Sequence, residues 1–98
     1  MIRHLIVFNI REGATHQDCL KMIEIGKKEL MTIPGVIGIS FGTACSETAR
    51  YRYTLSVEFE SMDVIEFYKY HPAHVAFADQ HFRPLATDRI TTDYRLEF

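Results

Sequence analysis

The chain has 98 residues, of which 47% are hydrophobic and 24% charged, so it reads as one globular domain, 1–98, rather than a disordered segment. Eleven Lys+Arg against thirteen Asp+Glu leave a net charge of −2, which argues against a nucleic-acid surface, since that needs clustered cations. The longest apolar run, Leu5-Ile6-Val7-Phe8, is far too short for a bilayer span or a signal-peptide core, so the expected setting is cytoplasmic with no membrane partner.

Ile2 to Ile10 is β-branched and aromatic and reads as a strand with apolar residues on both faces, which suggests that both faces are covered. Thr15 can cap a helix, with Asp18 a favourable first-turn acid. Leu20, Ile23, Lys27 and Leu30 follow at helical spacing, Met22, Ile25 and Met31 widen the stripe, and Pro34-Gly35 ends it. Val36 to Thr43 predicts a second strand, with Ile37, Ile39 and Phe41 on one face and Gly38, Ser40 and Gly42 on the other. Tyr51 to Glu60 alternates most cleanly of all and places Tyr51 and Tyr53 together as packing residues. Ser61 is the expected N-cap of a helix carrying Val64, Ile65, Phe67 and Tyr68. Pro72 suits the first turn of a further helical segment that Pro84 ends, and Ile90 to Phe98 closes the chain as a last strand.

The order strand, helix, strand, strand, helix, strand predicts an α+β fold of ferredoxin-like βαββαβ type, with a four-stranded antiparallel sheet and both helices on one face. A chain of this length buries only roughly 60–65% of the surface its unfolded form exposes. The second sheet face therefore needs a cover, and a second copy of the same sheet is the simplest one. Cys19 and Cys45 fit no metal or redox spacing and are expected as free thiols.

The run Tyr68-Lys69-Tyr70-His71-Pro72-Ala73-His74-Val75-Ala76-Phe77, together with the opening Ile2-Arg3-His4-Leu5-Ile6-Val7-Phe8, resembles the stress-responsive A/B barrel (Dabb) family. Ile33-Pro34-Gly35-Val36, Val57-Glu58-Phe59-Glu60 and Asp93-Tyr94 agree with it, so the resemblance covers nearly the whole chain. It implies a homodimer in which two sheets pack as a dimeric α+β barrel, with a small-molecule cavity between sheet and helices in each subunit. It also implies, from the plant polyketide cyclases of the family, an intramolecular aldol closure. The matching positions for the working residues are His4, Tyr68 and His74.

Tyr68 and His74 are six residues apart, well off one face of a straight helix, but a bend at His71-Pro72 would bring them together. His4 joins them only if the even face of the first strand points to the helices, leaving Leu5 and Val7 for the partner subunit. An imidazole titrates near neutral pH and suffices to take the acidic proton between two carbonyls. Tyr68 would donate a hydrogen bond to the enolate oxygen, and His4 would orient His74 or the substrate. Ile6, Phe8, His71 and Phe77 are the expected substrate-binding residues, around a small, partly apolar carbonyl compound. This chemistry requires no metal or organic cofactor. The spacing of His71, His74 and His81 raises a metal site, but His71 precedes Pro72 and falls outside the helix of the other two, and no Cys lies near. Two other readings compete: a non-catalytic, ligand-binding stress-response homodimer, and a hydrogen-bond network that only supports the fold. The related monooxygenases that commonly use a Trp are disfavoured because this chain has none.

Overall fold

A computed structural model describes all residues, Met1–Phe98. The elements are β1 (Ile2–Ile10), α1 (His16–Leu30), β2 (Val36–Thr43), β3 (Tyr53–Phe59), α2 (Met62–Tyr70), α3 (Pro72–Phe77), a π-helical turn (Ala78–Phe82) and β4 (Ala86–Arg95). The strands form one antiparallel sheet in the order β2-β3-β1-β4, and the helices pack on one side of it. The result is a slab measuring 36 × 30 × 17 Å.

The even side of β1 faces the helices. Ile2 and Phe8 are buried there, and Ile6 and Ile10 pack against the same core. From β3, Tyr53, Leu55, Val57 and Phe59 join them. The opposite side carries Leu5 and Val7 beside Thr92 and Ile90 of β4, and Ile90 and Tyr94 are about half exposed. This face has no helix over it.

The α1 N-terminus is a full capping box. The Thr15 hydroxyl accepts from the Asp18 amide, and the Asp18 carboxylate accepts from the Thr15 amide. The buried stripe of α1 is Cys19, Met22, Ile23, Gly26 and Leu30, so Leu20 and Lys27 turn away from the core. Gly26 is there for proximity: a Cβ at this position would stand 2.8 Å from the Phe77 ring. After α1, Gly35 takes φ +92 in the turn into β2, tight against Val64.

Four details differ from the sequence pattern: a register, two strand boundaries and a capping bond. The register of β2 shifts between Val36 and Gly38, so Ile37 leaves the face of Ile39 and Phe41 and is exposed. Next, β3 begins at Tyr53, because the Asn9 side chain captures the segment before it. Its Oδ1 accepts from the Arg52 amide at 2.9 Å and its Nδ2 donates to the Arg50 carbonyl at 3.0 Å. Tyr53 alone enters the core, stacked between Phe8 and Phe41, while Tyr51 lies under the Arg50 guanidinium. The last strand starts at Ala86, since Thr87-Asp88-Arg89 continues the ladder opposite the end of β1 despite its polarity, and Leu96 to Phe98 lie outside it. Ser61 occupies the α2 N-cap, but its side chain makes no capping bond.

Cys19 is buried, and burial pushes its thiol pKa up to about 11, whereas Cys45 is exposed. A thiol reagent should therefore label Cys45 promptly and Cys19 only on unfolding, as mass spectrometry would count. Gly35→Ala adds both backbone strain and a Cβ 2.5 Å from a Val64 methyl. It should cost about 1–3 kcal/mol in urea unfolding.

Candidate active site

The site begins with a missing donor. Pro72 has no N–H, so the helix cannot run through it, and the preceding residue is pushed to an extended conformation. His71 adopts φ −64, ψ 133 and separates α2 from α3. Its ring then caps the new helix, with Nδ1 accepting from the Ala73 amide at 3.1 Å. In an unbroken helix that amide would bond the carbonyl of Lys69. Freed of it, the Lys69 carbonyl accepts instead from His74 Nδ1 at 3.0 Å. A carbonyl only accepts, so Nδ1 of His74 carries the proton and the neutral ring keeps its Nε2 lone pair.

The break also turns α3 so that Tyr68 and His74 meet, their ring centroids 4.2 Å apart. From the sheet, His4 packs edge-on to Tyr68 with centroids 5.9 Å apart. The three residues thus converge, as the bend at His71-Pro72 requires. His4 Nδ1 lies 2.5 Å from Asp93 Oδ1, directly across the β1–β4 ladder. The carboxylate fixes this imidazole as an Nδ1–H donor. The sequence reading did not pick out Asp93 as part of the site. Only the register, which sets Asp93 opposite His4, reveals it.

Burial lowers the His74 pKa below the ordinary histidine value; the hydrogen bond to Lys69 works against this, and His4 and Arg83 add to the lowering. His74 is therefore neutral at pH 7. Tyr68 is 3% exposed, and burial raises its phenol well above the usual tyrosine range, so it stays a protonated donor. No group of the chain hydrogen-bonds its hydroxyl.

His4, Ile6 and His74 line a half-open cavity of about 370 Å³ between β1, β4 and the helices, with Phe82 and Ala78 on its floor. Tyr68 stands behind the two imidazoles rather than on the wall. Of the expected substrate-binding residues, Ile6 is at this cavity and three are elsewhere. Phe8 is fully buried between Tyr53 and Phe82, because the even side of β1 carries it into the core. Phe77 points to α1 and fills the notch at Gly26. His71 is consumed by its capping bond and lies against Phe67. His81 stacks on Phe77, on the far side of α3 from His74's partners, so the three histidines of this region do not gather around one point.

Residues 2–96 match the model of the stress responsive A/B barrel domain. The chain belongs to this family. It is 28% identical over 81 residues to olivetolic acid cyclase of Cannabis sativa, a match covering 80% of each chain. A Dabb-family protein of Mesorhizobium loti with a ferredoxin-like fold superposes with a TM-score of 0.83 at 27% identity, over 97% of this chain and 95% of the other. A dimeric ferredoxin-like protein of Thermobifida fusca gives a TM-score of 0.82 at 24% identity, over 97% and 90% of the two chains.

Tyr68 also has a packing role, which substitution can separate from its hydroxyl. Tyr68→Ala should cost about 3–5 kcal/mol in chemical denaturation. Tyr68→Phe keeps the ring contacts with Phe59, His4 and His74 and should cost under about 1.5 kcal/mol.

Proposed function

We propose that this A/B barrel protein is a cofactor-independent aldol-type cyclase or lyase acting on a β-keto or polyketide-like compound. The observation that carries this reading is the neutral His74 in the cavity wall, tied through Nδ1 to the Lys69 carbonyl and packed at a tilt against the phenol ring of Tyr68 behind it. The similarity to olivetolic acid cyclase supports it.

In this reading His74 Nε2 takes the proton from the carbon between two carbonyls. The electron pair left behind delocalises onto a carbonyl oxygen, and Tyr68 donates a hydrogen bond to it where that oxygen enters between the His4 and His74 rings that Tyr68 backs. The enolate carbon attacks a second carbonyl of the same molecule, forming the new C–C bond and an alkoxide. His74 returns its proton to that alkoxide, so the protein ends unchanged. His4, held by Asp93, is a positioning residue that keeps Tyr68 and His74 in register. No step calls for a redox change.

The groups that face His74 set its pH response. They are His4 from β1, Tyr68 and the Lys69 carbonyl from α2, and Arg83 and Asp79 after α3. Because its pKa is lowered, the basic form persists to more acidic pH than for a free imidazole. A screen of β-keto acids and poly-β-ketones should find turnover whose rate rises with pH through a pKa below 6.5, the ordinary histidine value. His74→Ala and Tyr68→Phe should each lower kcat by about 10²–10⁴-fold. Turnover surviving both substitutions contradicts the mechanism. Tight binding of these compounds without turnover favours a ligand-binding protein.

We also infer a homodimer through the open sheet face. Leu5, Val7, Ile90 and Tyr94 form an apolar surface there, on the side away from the helices. Light scattering at micromolar concentration should give twice the chain mass, and Leu5→Asp with Val7→Asp should give the monomer. A monomeric unsubstituted protein refutes the pairing.

A further inference from the structure

The His4–His74 cavity has a second character that proton transfer does not use. Its charged wall residues are Lys69 at the end of α2, Arg83 after the π-helical turn and Arg89 on β4, and no carboxylate side chain lies among its lining residues. Two of these cations are already paired. Lys69 lies 3.7 Å from Glu66, and Arg83 is bonded to Asp79.

Arg89 has no acidic partner. Its Nη1 donates to the carbonyl of Ala86, three residues back on the same strand. A guanidinium has five N–H donors in a planar fork, so four remain, on a group whose orientation is already restricted. Thr91 follows on the same face of β4, opposite Ile6, and adds a hydroxyl to the wall. Asp93 comes next on that face and holds His4. One strand therefore presents Arg89, Thr91 and Asp93 in a row on the helix side of the sheet, running from an unpaired cation to the partner of His4. That side is apolar on β3, the strand beyond β1.

We propose that the cavity selects oxo compounds that carry a carboxylate, with Arg89 and Thr91 binding the carboxylate and the acidic C–H presented to His74. This rests on the acid–base reading of the site and narrows its substrate class from an apolar carbonyl compound to an oxo acid. The planar fork matches a carboxylate in two parallel hydrogen bonds. A cavity of about 370 Å³ is at the small end for ligand pockets and suits a compact acid.

The probe set is 4-oxopentanoate, its neutral methyl ester and inorganic phosphate, titrated against the full chain by two-dimensional amide NMR. The acid should bind at least about tenfold more tightly than the ester, the worth of a charge-assisted hydrogen bond. Its shifts should cluster at β4 and around His4. Arg89→Gln should erase the preference, Arg89→Lys should recover part of it, and His74→Ala should leave it intact. Equal binding of acid and ester to the unsubstituted protein overturns the proposal without relying on any variant's folding. Retention of the preference in a folded Arg89→Gln variant, or phosphate binding more tightly than the acid, also overturns it. The two readings fail separately. Arg89-dependent acid binding in a protein that catalyses nothing defeats only the acid–base mechanism. Turnover of neutral diketones without an acid preference defeats only the carboxylate site.

Discussion

One backbone hydrogen bond that cannot form organises the site. Pro72 removes the donor that would have bonded the Tyr68 carbonyl, which accepts from the His71 amide instead. The cap that His71 then gives to Ala73 strips Lys69 of its helical partner, and His74 takes that partner's place. The tautomer of His74, its contact with Tyr68 and the angle of α3 all follow from this exchange. A continuous helix would have put Tyr68 and His74 on different faces. The carbonyl that a helix end usually orphans is here the means of orienting an imidazole.

The sheet supplies the other half. Its helix side is apolar through β3 and most of β1, where burial against α1 and α2 stabilises the fold. At β4 the helices no longer reach, and every residue from Thr87 to Arg95 is exposed. That shortfall leaves the cavity between the last strand and the π-helical turn. It also explains why polar residues are tolerated there on the side that elsewhere forms the core. The carboxylate of Asp93 anchors His4 across the strand pair, so the edge strand positions the site rather than only closing the sheet. The opposite face has no helix over it, and in the proposed homodimer a second copy of the sheet covers it.

Much of this was legible in the residues. The alternation of β3, the cap at Thr15 and the Pro72 break point to the fold, and the family resemblance of the His71-Pro72 run singles out His4, Tyr68 and His74. What escaped notice is what side-chain type does not encode. Hydrophobic spacing favours Leu20, yet Cys19 and Gly26 are the buried positions, and at Gly26 the close approach of the Phe77 ring excludes a side chain. Phe8 and Phe77 suit a ligand pocket by chemistry, but the direction of their elements places them in the core. The polar start of β4 gives no alternation, so its first residues and the register that pairs Asp93 with His4 emerge only from the ladder. Asn9 shortens β3 through side-chain bonds that no propensity scale contains.

In the proposed reaction His74 removes a proton from carbon. Deuterium exchange at the central carbon of 2,4-pentanedione, followed by NMR in heavy water, tests it without requiring knowledge of the bond formed afterwards. The protein should accelerate exchange beyond free imidazole at equal concentration, and His74→Ala should abolish the acceleration while leaving the fold intact by circular dichroism. No acceleration by the unsubstituted protein, or acceleration that persists in His74→Ala, would contradict the account.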